Sequence, residues 1–110
     1  MLDHYFSQSW RLAKLRSGPS GPFLDGFSAA LFSEGRRSGA PRHINAAAHV
    51  GVWAERHDIA VADIDEAVIT RFVRHIARCR CIDVAAGFGR KRMRFTALMF
   101  LGYLRREGIA

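Results

Sequence analysis

The 110-residue sequence has little cysteine and no long apolar stretch. Its two cysteines, Cys79 and Cys81, are separated by a single residue, which excludes the disulfide framework of small secreted domains. No apolar run approaches the ~18–20 residues of a membrane span. Residues 1–16 also lack the continuous apolar segment of a signal peptide. We therefore expect reduced thiols and a cytoplasmic protein without a membrane partner.

Strand patterns are missing as well. Valine and isoleucine occur, but nowhere with sustained alternation of apolar and polar residues, so no sheet is expected. The length suits one domain with one main core. Glycine, proline and serine cluster in residues 17–22, which separates an N-terminal arm and linker (1–21) from a helical domain (22–110). The predicted fold class is all-α, with a compact four-helix domain and a short arm.

Four helices are predicted from apolar residues at helical spacing and from start and stop signals. They are helix A over 22–34, helix B over 41–57, helix C from the Asp63-Ile64-Asp65-Glu66 start signal to about Arg78, and helix D over 91–107. Pro22 suits the first turn of helix A and Gly35 its C′ position. Either Asp63 or Asp65 can cap helix C, and Gly108 ends helix D.

Each predicted helix has an apolar face that should be buried. These faces comprise Leu24, Phe27 and Leu31 of helix A; Ala47, Val50, Gly51 and Ala54 of helix B; Ile69, Phe72, Val73 and Ile76 of helix C; and Met93, Ala97, Phe100, Leu101 and Leu104 of helix D. Helix D is apolar on most of its remaining surface too, through Phe95, Leu98, Met99 and Tyr103. Such a helix is central in its domain or is covered by a partner.

Polar side chains form separate stripes on helices B and C. On helix C the stripe consists of Arg71, Arg74 and Arg78, and on helix B of Arg42, Asn45, His49 and Arg56. Trp53 falls between the buried face and the polar stripe of helix B. The position favours a place at the edge of the core over a platform for base stacking.

Positive charge is concentrated in one part of the chain. The sequence has 17 basic and 10 acidic residues, a net charge of +7. Residues 71–94 contain eight basic residues and one acidic residue, whereas the rest of the chain contains nine of each. All but two of the cations are arginine, which binds phosphate and guanine edges in a bidentate manner. This distribution indicates a polyanionic partner, although a solvated arginine-rich surface gives the same composition.

The cationic start of helix D sharpens that expectation. The sequence Arg90-Lys91-Arg92-Met93-Arg94 places cations where they oppose the helix dipole unless an anion offsets them. Free N–H groups and cations together make a plausible phosphate site. The alternative interpretation is a solvated basic turn.

The order of these elements resembles a known family. The elements that carry the resemblance are Leu24-x-x-Phe27-x-x-x-Leu31 followed by Glu34-Gly35, Val52-Trp53-Ala54-Glu55-Arg56-His57-Asp58-Ile59, Ile64-Asp65-Glu66-Ala67-Val68-Ile69-x-x-Phe72-Val73, and Ala97-Leu98-x-Phe100-Leu101-x-Tyr103-Leu104. Together they are similar to the N-terminal core-binding (SAM-like) domain of tyrosine recombinases, the phage-integrase family, as carried by mobile elements. The resemblance implies a four-helix module that forms half of a clamp on double-stranded DNA, with helices B and D facing the duplex. The DNA-binding residues that it implies are Arg42, Asn45, His49, Arg90, Lys91, Arg92 and Arg94.

No catalytic site is expected in this chain. In the family, catalysis needs a tyrosine nucleophile with arginine and histidine groups in a second domain, for which these residues leave no room. The sequence His75-Ile76-Ala77-Arg78 imitates the family's H-x-x-R motif, with Tyr103 downstream, but both fall within the predicted core-binding domain. We therefore expect no strand cleavage by this chain alone.

Two further patterns are read as structural. Cys79-x-Cys81 with His75 provides too few ligands for the four that structural zinc usually takes, so no metal or other cofactor is expected. Gly87-Phe88-Gly89-Arg90-Lys91 lacks the full phosphate-loop pattern and is read as a flexible loop.

The leading hypothesis is thus the DNA-binding module of a recombinase that acts in DNA recombination and integration. The alternatives are a free-standing helical DNA-binding regulator and a protein-interaction domain that self-associates through the apolar surface of helix D.

Overall fold

A computed structural model describes residues 1–36, 38–79 and 90–110; the side chains of Arg90 and Lys91 fall outside that description. Six α-helices lie within the described residues: α1 (Leu2–Tyr5), α2 (Ser9–Ser17), α3 (Gly21–Ser33), α4 (Ala40–Arg56), α5 (Glu66–His75) and α6 (Arg90–Arg106). Short 3₁₀ turns cover Val61–Asp63 and Ile76–Arg78. The described part of the chain contains no strand, which confirms the all-α prediction.

Helices A to D correspond to α3 to α6, and their ends follow the predicted signals. Asp65, not Asp63, caps α5: its Oδ1 accepts a hydrogen bond of 2.9 Å from the Val68 N–H. Gly35 has φ of 74° directly after α3, where the Arg36 N–H bonds back to the Leu31 carbonyl. This is the left-handed C′ conformation that glycine adopts without steric cost. Helix C is shorter than expected, because its last turn tightens into 3₁₀ geometry over Ile76–Arg78.

The N-terminal arm is helical and packs against the rest of the molecule. Leu2 of α1 and Leu15 of α2 are both buried, in one cluster with Leu24 of α3. The Leu2 N–H donates a hydrogen bond of 2.9 Å to Asp25 Oδ1, which ties the arm to α3. That bond is also the main cause that lowers the pKa of Asp25.

The core consists of two apolar clusters that share α4 and α6. The first cluster joins α1, α2 and α3 to one side of α4 and α6 and is centred on Phe27, Phe100 and Leu104. The second joins α5 to the other side and is centred on Trp53, Phe72 and Leu101. Because α6 contacts α3, α4 and α5, it is central in the domain, which accounts for its nearly continuous apolar surface.

Most of the predicted buried faces are confirmed. All the residues named for the apolar faces of helices A, B and D are buried, as is Trp53. On helix C, Ile69 and Phe72 are buried, whereas Val73 and Ile76 are only half-buried. They lie near the end of α5, at the edge of the second cluster.

Candidate nucleic-acid interface

The N-terminal ends of α4 and α6 meet at the surface. His43 Nδ1 and Thr96 Oγ1 share a hydrogen bond of 2.9 Å that links the first turn of α4 to the second turn of α6. Pro41 occupies the first turn of α4, where its missing N–H costs nothing, and Gly39 precedes the helix with φ of 77°. This geometry brings two helix N-termini side by side.

Arginines from three parts of the chain surround this junction. Arg42 and Arg92 line one open pocket together with His43. Arg36, His43 and Arg92 line a second pocket beside it. We call these four residues, Arg36, Arg42, His43 and Arg92, the basic face.

The electrostatics of the basic face favour an anion. None of the described residues that line the two pockets is acidic. Neither α4 nor α6 has an acidic residue in its first turn to offset the helix dipole. Burial, and then the positive charges of Arg36 and Arg92, lower the pKa of His43. Part of this charge is balanced at the rim, where Arg36 Nε lies 3.7 Å from Glu34 Oε2.

The structure brings together two of the predicted DNA-binding side chains, Arg42 and Arg92, both exposed. The backbone of Arg90 and Lys91 forms the first residues of α6, next to Arg92. Arg94 points away from this junction: its Nη1 lies 3.4 Å from Thr70 Oγ1 on α5. The predicted cationic turn is therefore split between two sides of α6.

Asn45 differs from the expectation of a free polar side chain. It is half-buried, and its Oδ1 accepts a hydrogen bond from Arg11 Nη2 on α2. One lone pair of the amide oxygen that would accept from an adenine is therefore already engaged, and the Arg11 bond holds the side chain towards α2.

The placement of His49 on a polar stripe was wrong, because its side chain is 5% exposed. It packs edge-on against Phe72, with 5.1 Å between the ring centroids, and against His75 at the same distance. His49 belongs to the i, i+3, i+4, i+7 series of Ala46, His49, Val50 and Trp53, all of which are buried. This spacing is typical of a buried helix face, but the polarity of histidine concealed it.

Sequence reasoning also missed Arg36 and His43. Arg36 follows Gly35 in the connection between α3 and α4, where its guanidinium lies 5.8 Å from the centroid of the exposed Phe95 ring. The available signal was a pair of basic residues, Arg36 and Arg37, between predicted helices A and B. His43 lies one residue after Arg42 and carried no signal of its own.

The groups that imitate a recombinase active site are placed in different parts of the molecule. Tyr103 is buried in the first core cluster against Phe27, and burial raises the pKa of its hydroxyl. His75 lies at the end of α5, against Phe72 and Trp53 of the second cluster. The predicted loop at Gly87-Phe88-Gly89 and the residue Cys81 lie outside the described residues.

No protein-family model matches the chain, and neither a curated protein nor a solved structure shows significant similarity to it. Among the described residues, none of the helices combines the length and the apolar character that a bilayer span requires.

Proposed function

We propose that the protein is a double-stranded DNA-binding module and that its basic face contacts the phosphate backbone. The observation that carries the proposal is the convergence of Arg36, Arg42 and Arg92 on two adjoining helix N-termini. Helix N-termini with nearby arginines bind phosphate through N–H groups and charge together.

The distribution of ion pairs supports this assignment. Arg105 binds Glu66 with both Nη atoms, at 2.6 and 2.7 Å, and Arg106 Nη2 lies 3.1 Å from Glu34 Oε1. These pairs neutralise the C-terminal end of α6. Its N-terminal end has no acidic residue in the first turn, so the two ends of one helix differ strongly in net charge. A field of one sign at one end orients the approach of a polyanion.

Further exposed arginines lie along α5, on the side of α6 to which Arg94 points. Arg71, Arg74 and Arg78 are all exposed, and Arg94 reaches Thr70 on the same helix. Since the contacts involve phosphates, we expect the affinity of non-specific binding, about 10⁻⁴–10⁻⁶ M at physiological salt.

The finer part of the proposal is that the module belongs to a tyrosine-recombinase-like (integrase) protein of a mobile element. The support is the resemblance in the order of sequence elements, together with the four helices α3 to α6. In that family helices B and D face the duplex, and the basic face is built from the starts of the equivalent helices, α4 and α6. The proposed role in DNA recombination and integration rests on this resemblance.

The protein-interaction alternative loses its main motivation in the folded domain. Most of the apolar surface of α6 packs against α3, α4 and α5. Phe95 is the large apolar residue of this helix that remains exposed, at 55%, and its ring lies beside Arg36 of the basic face. We therefore retain DNA binding as the single proposed function.

The experiment is a fluorescence-anisotropy titration of a labelled duplex at several salt concentrations. The double variant Arg42→Gln/Arg92→Gln should flatten the slope of log K against log salt by about 2, since each phosphate contact contributes about 0.9. The matched control, Arg16→Gln/Arg105→Gln, removes the same charge from arginines that pair with Asp25 and Glu66, away from the basic face, and should leave the slope unchanged. If the two double variants change the slope equally, the assignment to the basic face is wrong.

A further inference from the structure

Three electron-pair donors from separate elements converge beside the second core cluster. His49 Nε2 on α4 lies 3.3 Å from His75 Nε2 at the end of α5. It also lies 3.2 Å from Cys79 Sγ, directly after the second 3₁₀ turn. All three atoms lie within 4.8 Å of one another. Imidazole nitrogen and thiolate sulfur are the ligands that Zn²⁺ prefers in proteins.

A backbone hydrogen bond fixes the orientation of one of these rings. His75 Nδ1 lies 2.5 Å from the Phe72 carbonyl oxygen, which can only accept, so Nδ1 carries the proton. In the neutral ring the Nε2 lone pair then points into the cluster. A ligating histidine in metal sites typically has its second nitrogen bound to a carbonyl or carboxylate in this way.

The surroundings combine a low-dielectric wall with access from solvent. His49 is buried, and Trp53 and Phe72 pack against the two imidazoles. His75 and Cys79 are only half-buried, which leaves a route for an ion. Burial lowers the pKa of His49 to about 4 and also lowers that of His75, which favours the neutral form of both rings. The neutral ring is the form that binds metal.

Two of the three separations between donor atoms are close to those around a tetrahedral ion, and the third, between His75 and Cys79, is within 4.8 Å. Zn–N bonds of about 2.05 Å and Zn–S bonds of about 2.3 Å place tetrahedral nitrogens about 3.4 Å apart, and a nitrogen and a sulfur about 3.6 Å apart. The separation of 3.3 Å between the two Nε2 atoms is already close to that value. The separation of 3.2 Å between His49 Nε2 and Cys79 Sγ needs to widen by a few tenths of an ångström.

We propose that His49, His75 and Cys79 form a binding site for a Zn²⁺-like ion, with the fourth coordination position open to solvent. Binding replaces the thiol proton of Cys79 with the metal, so one proton is released for each ion bound. The ion would join α4 to the end of α5. This inference concerns a separate site from the basic face and stands or falls independently of DNA binding.

Cobalt provides the test, because Co²⁺ occupies zinc sites and reports its ligands by absorption. Untagged protein, freed of metal with a chelator and kept reduced, is titrated with Co²⁺ and then with Zn²⁺. We expect binding of one Co²⁺ per chain, with the thiolate-to-cobalt charge-transfer band and the strong visible bands of tetrahedral coordination. Zn²⁺ should then displace the cobalt and remove both sets of bands.

Matched variants assign the ligands. Cys79→Ser should abolish the charge-transfer band, and His75→Gln should weaken Co²⁺ binding by at least the ~10–100-fold that loss of a second-shell partner costs. His57→Gln removes an exposed histidine whose ring centroid lies 4.6 Å from that of Trp53, and it should have no effect. Cys81→Ser should keep the band. The absence of Co²⁺ binding to the parent, or a band that survives Cys79→Ser and disappears in Cys81→Ser, would overturn the proposal.

A folding control makes a negative result interpretable. Each metal-free variant is compared with the metal-free parent by far-ultraviolet circular dichroism and thermal unfolding. Cys79 is half-buried at a loop position, so Cys79→Ser should remain folded. In the parent, Zn²⁺ should raise the unfolding temperature, since an ion that binds only the folded state stabilises it, and in Cys79→Ser this increase should be much smaller. An equal increase in both proteins would count against the site.

Discussion

His43 and His49 lie on the same helix, less than two turns apart, in opposite surroundings. His43 is half-buried at the start of α4, next to Arg36 and Arg92, and its Nδ1 bonds to Thr96. His49 is buried between aromatic rings, next to His75 and Cys79. Burial is the main cause that lowers the pKa of both rings, and the charges that add to it differ: Arg36 and Arg92 at His43, His75 and Arg56 at His49.

The contrast shows how one helix can serve two kinds of site. The basic face uses the exposed end of α4, where the positive end of the helix dipole and the arginines favour a bound anion. The histidine–cysteine cluster uses the middle of α4, where packing against α5 and α6 removes water and keeps the imidazoles neutral. Substitutions in the histidine–cysteine cluster should therefore change stability and leave DNA binding intact. Substitutions in the basic face should change DNA binding and leave stability intact.

The largest effect should come from an aromatic residue beneath the cluster. Phe72 is fully buried and contacts both His49 and His75, so Phe72→Ala should lower the free energy of unfolding by about 3–5 kcal/mol. Phe95→Ala, in the basic face region, should cost less than about 1 kcal/mol, since that ring is 55% exposed and contacts the Arg36 guanidinium. Urea unfolding measures both. Similar losses in the two variants would remove the distinction between the regions.

Lowering the pH should decrease the free energy of unfolding of the metal-free protein by nearly as much. His49 has a pKa of about 4 when folded and about 6.5 when unfolded, so the unfolded chain binds a proton that the folded chain does not. The contribution of His49 to the free energy of unfolding is therefore fully present above about pH 6.5. It declines as the pH falls towards 4, by about 3 kcal/mol in total. His75 shifts in the same direction.

Urea unfolding with a chelator at about pH 7.5 and about pH 4.5 measures this decline. The Glu66–Arg105 pair affects stability at lower pH values. The hydrogen bonds from Arg105 lower the pKa of Glu66 to about 2, so the contribution of Glu66 to stability is lost only as the pH falls below about 4.5. Glu66→Gln should therefore retain the histidine-dependent loss. Unchanged stability between the two pH values would mean that His49 is not buried as described.

A smaller effect is expected at the junction of α4 and α6. Thr96→Val keeps the shape of the fully buried Thr96 side chain but removes its hydrogen bond of 2.9 Å to His43. Because His43 is only half-buried, water can replace the lost partner, so the loss should be about 1 kcal/mol. The salt slope for DNA should not change, because the arginines remain. A flattened slope in this variant would show that the junction itself, and not only its charges, sets the contact.

The sequence predicted the helices well, because their signals are local. Apolar spacing and capping residues such as Asp65 and Gly35 act within one or two turns, and all four predicted helices are present. The arm was harder to place. Leu2 and Leu15 are apolar, but they are buried by packing against α3, and Leu2 bonds to Asp25, 23 residues away, a contact that local spacing does not predict.

The candidate sites are formed by contacts between distant segments, and the apolar spacing of the sequence does not predict such contacts. Arg42 and Arg92 could be named as cations, but only the crossing of α4 and α6 brings them to one pocket. Histidine is ambiguous on a helical wheel, since it is compatible with either a polar face or a buried one. His49 was therefore assigned to the surface, and with it the third ligand beside His75 and Cys79 was missed. A set of ligands drawn from distant segments has no spacing that a motif search can recognise.

The central claim is that the basic face binds duplex DNA, and amide chemical-shift mapping of ¹⁵N-labelled protein tests it most directly. During titration with a short duplex, the largest shifts are expected at the amides of residues 38–40, 42–43 and 92–96, around the starts of α4 and α6. Amides near Arg105 and Arg106, at the neutralised end of α6, should shift little. Shifts confined to that end or to α2, with residues 38–43 unperturbed, would contradict the account.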